Sequence, residues 1–435
     1  MSRLTTYLKT RVRRRLLAKA GGGGAIDLSK LDKVPDWVTW PLNRSGLDPV
    51  ARLGEMREHD PVHKFTSFLG LNIWLVTGQE EAREVLADTT SFSNDIRPMM
   101  GSRGSTTDGD IGGLGFTDPP EHTRLRKLLT PEFTMRRLAR MRPLVADIID
   151  RQLDEVEAAA AREGSVDLVP TFAFPVPFLV ICDLLGLPDE DRETFRQLGS
   201  ARFDVTHGGQ GSFGAISGSR EFLMEATRKQ RHDPGPGLIG HIIREHGDSI
   251  NDFDLGGLAD GVFTGGLETS ASMLALGTAV LLEHREDYAR IASDPGSVDG
   301  VVEELLRYLT VVQVAFPRFP KRDLELGGHK IAKTDVVVCH LVGADRDGRM
   351  GPGMDRFDGS RAPVPHLAFG HGFHRCVGAE LARMELRAAY PALARRFPDL
   401  RLAPGADLGF RQRSIVFGLD SLPVRLVPEQ SLAVR

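Results

Sequence analysis

The chain has 435 residues, 41% hydrophobic and 26% charged, which is ample for a large core. A formal net charge of −4 gives no reason to expect nucleic acid. Three cysteines (Cys182, Cys339, Cys376) are too few and too odd in number for a disulfide framework and fit a reducing, cytoplasmic setting, and no run of about twenty apolar residues suggests a transmembrane anchor.

Residues 1–30 read as a basic, flexible tail. Thr10 to Ala20 is dense in Arg and Lys without the long apolar stretch of a signal peptide, and Gly21 to Gly24 follow as a linker. The globular pattern starts near Pro49. The spacing predicts a helix over Pro49–His59, a hairpin over Pro61–Thr77 and a helix over Gln79–Asp88. Phe92 to Phe116 is long, polar and glycine-rich, a segment of the kind that is usually functional or mobile. Asp118-Pro-Pro-Glu-His122 opens a further helix, on which His122 and Arg126 are four apart and share a face. A solvated basic face is the simplest reading of that pair.

Met135 to Glu163 is strongly helical, and Thr206 to Gly218 is rich in Gly and Ser. The next long helix is expected over Asp252–His284. It carries Gly256, Gly257, Gly261, Gly265 and Gly266, although each interior glycine costs about 1 kcal/mol against alanine. Gly257, Gly261, Gly265 and Thr269 recur at i+4, leaving one nearly bare face that ends in a hydroxyl beside Glu268. Such a face suits a flat ligand better than solvent. Glu304 and Arg307 are i, i+3 on another helix and able to pair. Leu324 to Ile331 and Asp335 to His340 alternate like strands of a small sheet.

The most informative stretch is Phe369-Gly-His-Gly-Phe-His374-Arg-Cys376-Val-Gly378, which runs into the helical Ala379 to Arg387. Cys376 then lies just before a helix N-terminus, where a thiolate is favoured. The residues allow three readings: a buried structural cysteine, a zinc site using His366, His371 and His374, or haem ligated by an axial thiolate.

Phe-Gly-x-Gly-x-His-x-Cys-x-Gly followed by Ala-x-Leu-Ala-Arg-x-Glu resembles the haem-ligand loop of the cytochrome P-450 superfamily, in its soluble bacterial type. Other motifs match the family in order: His122 with Arg126, Gly265-Gly-Leu-Glu268-Thr269, Glu304 with Arg307, and Phe316-Pro-Arg318. The resemblance spans about residues 45 to 428. It implies a mainly α fold with small β-sheets, a long central helix over the haem and the cysteine loop beneath, in one domain over residues 31–435. It implies haem b and O2 as cofactors, with Cys376 as metal ligand. His122, Arg126, Arg318 and His374 would meet the propionates as four cations, while Phe369, Gly378 and Gly265 line the haem. Thr269 and Glu268 would deliver protons, and Glu304 and Arg307 would be structural, with Arg356 as their third partner. Asp345 departs from the family's usual Asn.

The activity implied is monooxygenation of a lipophilic small molecule such as a fatty acid, terpenoid or polyketide. Gly261, Gly265, Val312, Ala315 and Val416 are expected to line the pocket, and Arg97 or Arg103 are candidates to hold a carboxylate. The Gly/Ser-rich segment 206–218 would be a lid. With no fused reductase expected, electrons would come from a ferredoxin and ferredoxin reductase, received on a basic surface near Arg375, Arg383 and Arg387 of a monomer. A peroxide-driven peroxygenase and a non-catalytic haem sensor are the alternatives, and Glu268-Thr269 argues against the first.

Overall fold

The computed structural model describes residues 39–68, 71–95, 114–203 and 210–426, and only the backbone of residues 68, 71, 198–203 and 210–217. The basic tail, Arg97, Arg103 and the start of the Gly/Ser-rich segment (206–209) lie outside the described residues.

The first helix, α1 (Ala51–His59), precedes a hairpin of β1 (Val62–Phe68) and β2 (Leu71–Val76), then α2 (Gln79–Ala87). Most of the remaining chain is helical: α3 (Glu121–Leu129), α4 (Met135–Glu163), α5 (Pro175–Leu185), α6 (Asp189–Phe203), α7 (Gln210–His232), α8 (Leu238–His246), α9 (Asp252–Glu283), α10 (Arg285–Ser293), α11 (Val298–Leu309) and α12 (Ala379–Arg396). The long Phe92–Phe116 segment contributes a two-residue strand at Phe92–Ser93 and a 3-10 turn at Leu114–Phe116.

Helix ends follow local chemistry. Asn251 caps α9, its Oδ1 accepting from the Asp254 N–H at 2.7 Å. Helix α4 stops where Gly164 turns left-handed at φ 75°. Helix α9 is long and apolar enough to cross a membrane by length and composition, but it is the centre of the core: Leu274, Leu276, Val280 and Leu281 are all buried in one cluster with α4, α5 and α12. Its neighbours shape it closely. Tyr390 of α12 donates its hydroxyl to Met273 O, and a Cβ at Gly277 would sit 2.0 Å from that hydroxyl oxygen.

The sheets are small. Leu324–Leu326 pairs with His329–Ile331 as a hairpin, but the following strand, β3 (Val336–Cys339), leaves it and runs parallel beside β2, with Val336 opposite Ile73. The expectation of a single sheet there is corrected. Val337 and Cys339 are buried among Val62, Trp74 and Val76, so burial of that face decides the pairing.

Beneath α9, α11 is fixed by a fully buried ion pair. Arg307 donates from Nε and Nη2 to the two Glu304 carboxylate oxygens, each at 2.8 Å. The expected third partner is wrong. Arg361, not Arg356, bonds Glu304 Oε1 at 3.0 Å, while the Arg356 side chain is exposed and gives Arg307 only its backbone carbonyl. Asp345 is also fully buried: its Oδ1 accepts from Leu367 N–H at 2.7 Å and its Oδ2 from Thr310 Oγ1 at 2.8 Å.

Burial pushes the Asp345 carboxyl up to about 6, against the pull of His366 and its hydrogen bonds. The folded state therefore holds this proton more tightly than the unfolded chain. The contribution is present below the unfolded value near 3.8 and is lost as pH rises through about 6. An asparagine would keep both contacts, because Thr310 Oγ1 can donate instead to Arg307 O at 2.8 Å and accept from the amide. Asp345→Asn is expected to raise stability at pH 7.5 by about 1–3 kcal/mol and to leave it unchanged below pH 4, as read by melting temperature against pH. Equal shifts at both pH values would be inconsistent with a buried charge. By contrast, Glu304→Ala or Arg307→Ala is expected to yield little folded protein, since an unpaired buried charge costs about 3–5 kcal/mol. Normal expression with cooperative melting would contradict that.

Candidate functional site

The Cys376 loop is built by two constrained glycines and one backbone bond. Gly370 and Gly372 have φ of 67° and 69°, and a Cβ at Gly372 would lie 2.6 Å from Leu86 O, so the loop presses directly on the end of α2. The Cys376 N–H donates to Phe369 O at 2.9 Å, closing the loop. Gly378 caps α12, and a Cβ there would stand 3.9 Å from Cys376 Sγ. The thiol is accessible although protein surrounds it. Burial pushes its pKa up, while the Gly378 N–H and the guanidiniums of Arg126, Arg375 and Arg383 pull it down.

On the other side of the accessible thiol, α3 brings in His122 and Arg126. Arg126 donates to Arg375 O at 2.7 Å, tying α3 to the cysteine loop. The His122 and His374 rings stand 4.2 Å apart between centroids, and Phe373 packs on His122 at 4.5 Å. His122 is 1% exposed, yet neither ring nitrogen has a hydrogen-bond partner. Burial, then Arg126, lowers its pKa to about 4, and burial, then His122 and Arg318, lowers that of His374 to about 3. The four expected propionate contacts thus come together, two guanidiniums and two imidazoles whose burial disfavours their charged forms. Arg318 is 4% exposed and, among the described residues, its guanidinium donates to Phe316 O at 2.7 Å.

Helix α9 carries the glycine face. Gly256 and Gly266 face neighbouring helices, where added Cβ atoms would meet Met224 and Ile181, but Gly261 and Gly265 have nothing within 4 Å. Thr269 Oγ1 donates to Gly265 O at 2.7 Å, so its proton is committed and its lone pairs are what it offers. Glu268 contacts Arg411 at 3.4 Å, and Arg411 also holds Asp420 at 2.7 Å. Sequence spacing gave no sign of Arg411, which lies 143 residues away.

The remaining wall is two segments zipped together. Val312 bridges Val416, Gln313 N–H bonds Ile415 O at 2.9 Å, and Phe417 N–H bonds Val311 O at 2.7 Å. Val312, Ala315 and Val416 are half-buried there, and Phe316 and Ile415 are exposed at 49% and 45%. Phe316 meets Phe116 edge-on at 4.6 Å. Phe116 ends the Phe92–Phe116 segment, parts of which the sequence reading expected to line the pocket together with Val312–Phe316 and Ser414–Phe417.

Two other expectations change. His366 bonds Glu303 at 3.1 Å, and among the described residues no cluster of His, Cys, Asp and Glu is placed to hold a metal as zinc would require. The basic receiving surface is also different: Arg383 is clamped by Glu303 at 2.6 Å and Glu380 at 3.0 Å, and Arg387 pairs with Asp299 at 2.9 Å.

A mainly helical body with an exposed cysteine in a glycine loop and a long glycine-stripped helix describes a class of haem-thiolate proteins. The Cytochrome P450 family model matches residues 65–229 and 297–417, and this chain belongs to that family. It is 37% identical over 392 residues to Cytochrome P450 165B3 of Amycolatopsis orientalis, covering 88% of this chain and 97% of that protein. It is 35% identical to 6-deoxyerythronolide B hydroxylase of Saccharopolyspora erythraea, covering 86% and 94%. The structure of OxyE, a cytochrome P450 involved in teicoplanin biosynthesis, matches with a TM-score of 0.80 at 35% identity, over 89% of this chain and 99% of that one. The protein is therefore an oxidoreductase, a monooxygenase using haem b and O2.

The residues present fit that cofactor: an accessible thiol, unpartnered buried imidazole nitrogens and open space over Gly261 and Gly265. Cys376→Ala is expected to abolish the thiolate-type Soret band of the reduced carbon monoxide complex, even where some haem is retained. An unchanged band would assign the ligand elsewhere.

Proposed function

We propose that this protein inserts one oxygen atom from O2 into a lipophilic small molecule, with electrons from a ferredoxin and its reductase. The observation that carries this reading is an exposed cysteine, Cys376, in a glycine loop of a chain whose long helix α9 also carries a bare Gly261–Gly265 face with Thr269 one turn beyond. Haem b would supply the thiolate-ligated iron chemistry that activates dioxygen. Cys376 would hold the metal. His122, Arg126, Arg318 and His374 would hold the propionates, the imidazoles donating hydrogen bonds and the guanidiniums supplying charge.

The protein's own part is positioning and proton handling. Oxygen insertion consumes two electrons and two protons and releases the second oxygen atom as water. Thr269, with its proton given to Gly265 O, accepts a hydrogen bond from a water and so holds that water at the reacting centre. Glu268 feeds protons to the same water, and Arg411 holds its carboxylate in position. The pocket wall of Val312, Ala315, Phe316, Ile415 and Val416 is apolar, which suits a lipophilic substrate such as a fatty acid, terpenoid or polyketide. Similarity to a 6-deoxyerythronolide B hydroxylase supports hydroxylation of a polyketide-like molecule. Lys127 on α3 and Arg136 and Arg140 at the start of α4 are exposed cations that would receive an acidic ferredoxin.

Thr269→Ala tests the mechanism. It is expected to keep the thiolate spectrum and near-normal substrate binding, to lower product formed per electron pair by about tenfold or less, and to release matching hydrogen peroxide. Thr269→Ser, which restores a hydroxyl, is expected to recover coupling. Full coupling in Thr269→Ala would place the proton path elsewhere.

A further inference from the structure

We infer that Arg220, on α7, is a specificity-determining residue that anchors an anionic end of the substrate, a carboxylate, at the far end of the cavity over α9. This rests on the monooxygenase reading above and names the substrate class within it. Three observations carry it. First, the Arg220 guanidinium lies 4.6 Å over the ring of Phe253 and is half-buried, with a nitrogen 3.9 Å from where a Gly257 Cβ would be. Among the described residues no carboxylate pairs with it.

Second, the acids around it have other partners. Asp252 pairs with Arg231 at 2.6 Å, Asp254 with Arg124 at 2.5 Å, and Asp260 accepts from Ser219 Oγ at 3.0 Å. The Ser219–Asp260 bond also fixes the neighbouring turn of α7 on α9, and Phe253 supports the guanidinium plane. A partly buried guanidinium held flat on a ring, with no carboxylate partner among the described residues, has donors oriented to take a carboxylate.

Third, the Gly257 position beside Arg220 lies on the same helix, α9, as Thr269. Gly257, Gly261 and Gly265 follow at i+4 along one slowly winding face, and the last two meet open space. Twelve residues separate Gly257 from Thr269, so Arg220 stands about 18 Å along the helix from the hydroxyl assigned to proton delivery. A compact substrate cannot span that length. An elongated lipophilic acid, such as a straight-chain carboxylate, can pair with Arg220 at one end and present its other end for oxidation.

The test titrates ferric holoenzyme with straight-chain carboxylates of increasing length and with their methyl esters, following the haem spin-state shift. The acid is expected to bind about 10- to 100-fold more tightly than its ester, as a charge-assisted pair predicts. The preference should peak for chains whose extended length is near 18 Å. Arg220→Gln should bring the acid-to-ester ratio close to one with ester binding retained, and Arg220→Lys should restore part of it. An unchanged ratio in Arg220→Gln, or a wild type that binds esters as well as acids, overturns the assignment. Should Arg220→Gln fail to fold, the wild-type ratio and Arg220→Lys still decide. The reduced carbon monoxide spectrum of each variant separates the two levels. A thiolate band with no acid preference refutes Arg220 alone, whereas a wild type without that band refutes the reading beneath it.

Discussion

Every donor of one buried guanidinium is used. Arg307, 1% exposed, has five N–H groups and makes five hydrogen bonds: two to Glu304, and one each to the carbonyls of Asp345, Met354 and Arg356. A charge removed from water is tolerable only when paired and fully bonded, and here both conditions hold. The consequence reaches beyond α11. Three of the acceptors are backbone carbonyls spread along residues 345–356, a stretch with almost no regular structure of its own. Without the cation as a template, nothing in its local sequence would choose its path. The cysteine loop follows directly, so the position of Cys376 depends on a charge that takes no part in chemistry.

Helix α9 solves a different problem. A glycine-rich helix is weak by propensity, because the unfolded chain has more freedom to lose. The five glycines between Gly256 and Gly266 occupy the N-terminal half, while Leu274 to Leu282 is buried almost completely. Tertiary packing of the second half thus carries the first, which is free to be bare. The same division explains why Thr269 donates back to Gly265 O: at the edge of an open face the hydroxyl satisfies itself locally and leaves its acceptor side outward.

Much of this was legible in the sequence, because periodicity and motif spacing are local. Met135–Glu163 is a helix with the predicted bounds, α9 ends one residue short of its expected limit, and the glycines around Cys376 announced a constrained loop. What escaped depends on which loops meet. Arg356 and Arg361 lie five apart in one irregular segment, and nothing in their spacing says which one reaches Glu304. Arg411 finds Glu268 across 143 residues. Arg383 and Arg387 look like free cations on a helix, but Glu303 and Asp299 on α11 neutralise them. Strand β3 chose a parallel neighbour from the N-terminal hairpin because its apolar face had to be covered there.

The roof and floor of the cavity are joined through one carboxyl. Asp345 takes the Leu367 N–H with Oδ1, fixing the strand of chain that leads into the cysteine loop below. Its Oδ2 takes the hydroxyl of Thr310, a non-glycine residue held at φ 35° where α11 ends. A threonine in that left-handed region is costly, on the order of 1–3 kcal/mol, and persists only where its surroundings over-determine it. The hydroxyl contacts with Asp345, Arg307 O and Leu306 O supply that constraint. The turn at Thr310 sets the direction in which Val311 to Phe316 leave the helix. That direction fixes where Ile415 to Phe417 can zip against them. A side chain at position 345 unable to make both contacts would therefore loosen the approach to the Cys376 loop and the turn at Thr310 together, whereas asparagine would keep them. The departure from asparagine at this position is a substitution at the joint between the two halves of the site.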